Sequence, residues 1–296
     1  MKNFFIVLSI SLLFVAYSCD SGKKLAQTRQ TAQTAFISGD YNKALSLWEG
    51  IINTYEQKDN KKECPVYTEA GIAAMKLNQN EKAEKYLKEA AWGNMSTDKT
   101  YLALAEFYKE KDNLSLELEN LEIYDKRYPQ GAEINYVNLR LFEVYTEIEL
   151  YEKALNYWTK LSKETQSQLE YLQQILIVYD NLDKEEEAIA TAKSIFAMDN
   201  ENIPAYKWMT NHYFWKAEKR YQKEMNKYAK NKTRKQYAHL LRVIDEVTLD
   251  YKKALKYGKK LYKLEPIAEN ATLLGNTYDR LNYKKEAEYY QKLGKK

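Results

Sequence analysis

The residues that most often carry chemistry are scarce in this chain. Its 296 residues include two histidines, His212 and His239, and two cysteines, Cys19 and Cys64. A protein zinc site needs three or four His, Cys or carboxylate ligands. Two histidines alone make a weak one, and no neighbouring Asp or Cys completes it. They fall on the two arms of a helical hairpin inferred below and could approach if it closes; the simpler reading is polar residues on helix flanks. No glycine-rich phosphate loop, His-Glu-x-x-His or paired-cysteine motif occurs. The sequence therefore predicts no catalytic residue, no metal and no cofactor. Four prolines and nine glycines are also few, which argues against many-turned β structure and for long helices. Forty-six cations against 42 anions leave a formal charge of +4, too mild to name a partner. Glu185, Glu186 and Glu187 read as a solvated helix start, where negative charge suits the dipole.

What the chain has in quantity is tyrosine, 27 residues of it, and some of it recurs in a pattern. Tyr41-x-Lys43-Ala44-Leu45 returns as Tyr151-x-Lys153-Ala154-Leu155 and Tyr251-x-Lys253-Ala254-Leu255, at separations of 110 and 100 residues. Each separation is close to three units of about 34 residues. Two antiparallel helices approach closely only where a side chain is small, so each alanine marks a helix crossing and the tyrosine before it fills the corner. Gly39-Asp40 supplies a turn and a cap. This pattern resembles the tetratricopeptide repeat family. The resemblance implies an all-α solenoid of antiparallel helix pairs, each burying its apolar face on its neighbours, and a role in holding other proteins.

In chain order, 1–18 reads as a signal peptide. Lys2 gives the positive start, and Phe4 to Tyr17 is an apolar stretch of signal length, short for a membrane span. Ala16-Tyr17-Ser18-Cys19 is similar to a bacterial lipoprotein cleavage box. That likeness implies lipidation of Cys19, with 19–24 as lipidated residue and polar tether; an uncleaved anchor or a secretory signal with a chance cysteine is the alternative. The tether lacks the acidic cluster that resembles a surface-export signal in lipoproteins of the Bacteroides type, which favours an outer-membrane anchor facing the periplasm. Cys64 is then without an internal disulfide partner: it is either a small buried residue before Pro65 or the site of an intermolecular disulfide.

About five repeats are expected over 25–203. Ala44, Trp48 and Ile51 share one helical face; Ala83, Leu87 and Ala90 share another. Glu117 stands where a small residue belongs, so that hairpin is either splayed or shifted in register with Glu117 toward solvent. Further repeats occupy 249–296, including Ala271, Leu274, Gly275, Tyr278 and Ala287; Tyr289, Tyr290 and Leu293 leave that end open to a partner or a second copy. Between Ala188 and Ala254 lie 66 residues, room for two units, yet the middle lacks the signature. Instead Tyr206, Met209, Tyr213, Ala217, Tyr221, Met225 and Tyr228 form one apolar stripe, and Tyr237, Leu240, Leu241, Ile244 and Val247 a second. These predict a long irregular hairpin over 204–248, inserted between ordinary repeats. Its polar faces are basic, with Lys216, Lys219, Arg220, Lys223, Lys227, Lys230, Lys232, Arg234 and Lys235. They are either a solvated face, since long cations cover apolar stripes, or a contact for acidic lipid or an acidic protein. Export makes nucleic acid no expected partner.

In the family the resemblance names, first helices line a concave groove. Carried over, those positions are Arg29, Gln33, Lys109, Glu143, Gln173, Asp180, Asn181, Asn276 and Asp279, polar and mixed in sign. The expected function is a non-catalytic adaptor of the bacterial envelope, with an envelope protein or peptide on the concave face and the membrane held through the lipid; the oligomeric state is open. The alternative is a glycan- or cell-wall-binding module using exposed aromatics.

Overall fold

The structure, a computed structural model, describes residues 22–295. The expected signal peptide 1–18 and lipidation site Cys19 lie outside the described residues. Residues 22–24, expected as tether, already belong to the first helix. Among the described residues regular structure is entirely helical, in two compact units divided after Ile148. The first holds α1 (22–37), α2 (Tyr41–Gln57), a short 3-10 turn (Lys61–Glu63), α3 (Tyr67–Lys76), α4 (Asn80–Trp92), α5 (Asp98–Glu110), α6 (Leu114–Arg127) and α7 (Ile134–Glu147). The second holds α8 (Tyr151–Lys160), α9 (Lys163–Gln166), α10 (Leu169–Asn181), α11 (Glu185–Met198), α12 (Ile203–Lys230), α13 (Arg234–Leu264), α14 (Ala268–Arg280) and α15 (Lys284–Leu293). Within each unit the helices pack as tetratricopeptide-type antiparallel pairs. Among the described residues no helix is long and apolar enough to cross a membrane.

One turn joins most pairs. Gly39, Asn78, Asp112, Asp183 and Asn282 each take a positive φ between two helices. The following N–H then reaches back to a carbonyl of the first helix: Asp40 to Ala35, Gln79 to Ala74, Asn113 to Tyr108, Lys184 to Tyr179 and Tyr283 to Tyr278, all at 2.9 Å. Asn and Asp tolerate this left-handed backbone better than other side chains.

The alanines at the crossings are buried: Ala44, Ala83, Ala154, Ala188, Ala254 and Ala287. At Gly71 the approach is closer still. A Cβ there would lie 2.6 Å from Cγ of Leu87, so only glycine lets α3 and α4 meet. Tyrosines complete the packing with a repeated device. Tyr86 donates to Glu49 at 2.9 Å, Tyr108 to Glu84 at 3.3 Å, Tyr145 to Glu122, and Tyr251 to Glu218 at 2.7 Å. Each ring is buried while its hydroxyl finds a carboxylate on an adjacent helix, which suits a side chain with an apolar body and one polar tip.

Two expectations about these elements are corrected. Glu117 neither splays its hairpin nor faces solvent. It is buried at 2% exposure and accepts from Arg140 Nε at 2.5 Å and Nη2 at 3.1 Å. Arg140 also donates to Glu143 at 3.0 Å. An ion pair with α7 thus replaces the small residue. The hairpin over 204–248 is not an insertion closed off before a new repeat. α13 runs unbroken for 31 residues to Leu264, so the boundary expected between 248 and 249 falls inside it. Tyr251 and Ala254 sit in its interior, not after a turn. The 66-residue interval is filled by one helix pair whose members are twice the usual length. Cys64 lies in the core of the first unit at 4% exposure, which removes the intermolecular disulfide from consideration in the folded chain.

Candidate functional site

In the first unit α1, α3 and the entry to α5 share one face. Arg29, Gln33 and Phe36 project from α1, Thr68, Glu69 and Ile72 from α3, Lys99 from the first turn of α5, and Pro65, Met95 and Thr97 from the flanking segments. Together they line a recess of about 180 Å³. Its floor is apolar: Phe36 and Ile72 pack on the core, and Met95 stays largely exposed. Phe36 is fixed by Tyr41 and Trp48, at centroid distances of 5.3 and 5.5 Å. The rim is polar. Arg29 Nη2 donates to the Pro65 carbonyl at 3.4 Å and stands 3.9 Å from Glu69. Behind the recess the buried hydroxyls of Thr68 and Thr100 bond at 2.8 Å, tying α3 to α5. Thr97 caps α5 through a reciprocal bond with Thr100, so the α5 wall is rigidly placed.

The structure gathers the expected groove residues only in part. Arg29 and Gln33 enter this recess. Lys109 lies exposed at the far end of α5, and Glu143 is engaged by Arg140. On α10, Gln173 is half-buried, Asp180 is exposed, and Asn181 donates to its own helix at the Ile177 carbonyl, 2.9 Å. Asn276 and Asp279 on α14 enter a different cleft, of about 270 Å³, with Phe214, Trp215, Glu218 and Arg280. Trp215 is exposed there, braced edge-on by Phe214 at 5.0 Å. Glu218 accepts from both Arg280 Nε and Nη2, at 2.6 and 2.5 Å, and from Tyr251. Burial opposes its ionisation, but the hydrogen bonds from Arg280, Gln222 and Tyr251 win and hold it below the usual carboxylate range. Asp279 pairs with Lys284 at 2.8 Å.

The basic residues of the hairpin divide along its length. Near the base, Lys216 pairs with Glu185 and Arg220 with Glu246. Farther out, Lys227 pairs with Glu224 at 2.6 Å. Among the described residues no carboxylate lies within ion-pair distance of Lys219, Lys223, Lys230, Lys232, Arg234 or Lys235. The histidines do not meet. His212 stacks on Trp208 at 4.8 Å, close to Glu185. His239 lies 3.2 Å from Glu224, twelve residues or ~18 Å farther along α12. Among the described residues no group of three metal-ligating side chains converges.

Sequence reasoning missed Phe36, Ile72, Met95 and Lys99. Phe36 carried a signal, since it lies three residues from the expected groove position Gln33 and so shares its helix face; Glu69 and Ile72 on α3 had no expected neighbour on their helix. Met95 and Lys99 sit around a helix start and carried none.

No protein-family model and no curated protein matches the chain. Solved structures do resemble it. A tetratricopeptide repeat protein from Parabacteroides merdae is 12% identical over 91% of this chain and 93% of its own, with a TM-score of 0.46. The C-terminal part of a repeat-containing protein of the same kind from Cytophaga hutchinsonii is 13% identical, over 90% of this chain and 93% of its own, with a TM-score of 0.49. YrrB, described as a tetratricopeptide repeat protein with an unusual peptide-binding site, is 17% identical over 78% of this chain and 97% of its own, with a TM-score of 0.45.

Proposed function

We propose that this chain is a non-catalytic adaptor, anchored through a lipid on Cys19 to the periplasmic side of a bacterial outer membrane, which holds a short extended segment of a partner protein across α1, α3 and α5. The observation that carries the reading is the recess of the first unit, with an apolar floor of Phe36, Ile72 and Met95 under a rim of Arg29, Lys99 and Glu69. An apolar side chain of the partner fills the floor. The exposed Gln33 amide serves the partner's backbone, and two cations against one carboxylate favour a segment bearing a negative charge. An acyl anchor on Cys19 supplies a membrane address that no described helix provides.

The reading is tested with a photo-crosslinking residue at position 33 in living cells, and a matched one at the exposed Lys126 as control. A defined envelope protein should be captured from position 33 alone. Ile72→Glu, which places a charge on the floor, should reduce that capture at least about tenfold. Equal products from both positions, or capture indifferent to Ile72→Glu, would remove the adaptor reading. Cys19→Ala should abolish the globomycin-sensitive processing of the precursor; unchanged processing and membrane partitioning would remove the lipid anchor.

A second reading, glycan binding, is favoured by one observation. The exposed Trp215 indole stands beside Asn276 and Asp279 in the cleft of the second unit. Aromatic faces stack on pyranose rings while amides and carboxylates take the hydroxyls. Trp215→Ala should then abolish retention on an oligosaccharide affinity gel that wild type binds.

A further inference from the structure

The distal end of the α12–α13 hairpin carries a cluster of cations drawn from both arms. From Gln222 to Arg242 there are seven cations, Lys223, Lys227, Lys230, Lys232, Arg234, Lys235 and Arg242, and one anion, Glu224. The local excess of six exceeds the +4 of the whole chain, so the remainder is net negative. Glu224 is buried between the arms, bonded to Lys227 and facing His239. It therefore presents no negative charge to a partner.

The cations surround the tip. They occupy the last turns of α12, the Asn231–Thr233 connection and the first turns of α13. α14 reaches the α12 arm at Glu218 and Tyr221 through Arg280; distal to these, the arms pack on each other through Tyr228, Tyr237, Leu240 and Val243. Two apolar side chains, Tyr237 and Leu241, stay exposed one turn apart on α13, between Arg234 and Arg242. A protein partner would have to present carboxylates to cations on both arms and on the connection between them. A bilayer surface needs only its anionic headgroups, and takes a tyrosine and a leucine at the depth where amphipathic rings settle.

We infer that the hairpin tip is a membrane-docking surface for anionic phospholipid. It is independent of the segment proposed to bind on α1, α3 and α5, and of any acyl chain at Cys19.

The test reads the tip itself, so that whatever else tethers the chain does not enter. An environment-sensitive fluorophore is placed through Ala238→Cys in the full chain carrying Cys19→Ser. The same chain without Ala238→Cys sets the background from buried Cys64. Vesicles of phosphatidylcholine alone are compared with vesicles containing about 30% phosphatidylglycerol. The expected result is a blue-shifted, brighter emission on the anionic vesicles only, abolished near 1 M salt, where the screening length falls to about 3 Å. Each cation removed should weaken the response about fivefold, so Lys223→Gln, Lys230→Gln, Arg234→Gln and Lys235→Gln together should erase it while the helical circular dichroism is kept. No response on anionic vesicles, an equal response on neutral ones, or a response that survives the four neutral substitutions would overturn the inference. The first of these outcomes, with capture of an acidic protein through position 238, would assign the tip to a protein instead.

Discussion

Glu117 shows how one side chain can break a repeat pattern and still support it. The position calls for a small residue, and a carboxylate there is tolerable only because Arg140 meets both oxygens. Removing one member of a buried pair strands the other, at a cost of about 3–5 kcal/mol. Glu117→Ala should sit near the lower end, about 3 kcal/mol, because Arg140 keeps Glu143 at 3.0 Å. Replacing Glu117 and Arg140 together by leucine should recover most of that loss. Urea unfolding of the three variants measures this, and a double variant as unstable as the single one would contradict it. Cys64 makes a simpler prediction. Burial pushes its thiol up to about 11, and thiolate is the reactive form. Alkylation at pH 8 should therefore proceed only as fast as the first unit opens, and should become immediate in denaturant.

Among the elements, the turns carry the clearest lesson about what a sequence discloses. The crossing alanines and their neighbouring aromatics were legible because helix geometry imposes their spacing. Gly39-Asp40 was legible as a turn, but Asn78, Asp112, Asp183 and Asn282 do the same work and were not recognised, since each is a single polar residue among many. Glu149 shares their positive φ, at 60°, without their tolerance for it. Glu149→Asn or Glu149→Gly should thus raise stability by up to about 1 kcal/mol, seen as a higher denaturation midpoint, while Asn282→Ala should lower it. The continuity of α13 was missed for the opposite reason. Tyr251-x-x-Ala254 suggested a new start, although Thr248, Leu249 and Asp250 contain no breaker to end the preceding helix. Arg140 could not be assigned to Glu117 at all, because the two are 23 residues apart and their pairing depends on how α6 and α7 lie together.

Across the whole molecule, acid should weaken both units. Glu84 in the first unit is held low by the Lys88 ammonium, with Tyr108 adding to it. In the second, Glu185 is held low by Lys216 and His212, and Glu218 by Arg280, Gln222 and Tyr251 against the opposing effect of burial. Each folded value lies below that of the unfolded chain, about 4.3. Their contribution is therefore fully present above that pH and is lost as pH falls through the folded values. Urea midpoints should be flat from about pH 5 to 7 on this account and fall below about pH 4; Glu218→Gln should lower the plateau and shallow that fall. A midpoint independent of pH down to 3 would refute the assignment. At this scale Arg29 and Gln33 were expected only through the family resemblance, whereas Met95 and Lys99 join them in the recess only once α1, α3 and α5 are placed side by side.

α13 begins at the hairpin tip and ends against the last helix pair, with Gly258 leaving room for Thr210 on one side and Leu274 on the other. A rod of 31 residues is ~46 Å long. Val243, Val247, Tyr251, Ala254, Gly258 and Leu261 are buried along it, so a load applied at Arg234 enters the packed core of the second unit over about five turns of one continuous helix.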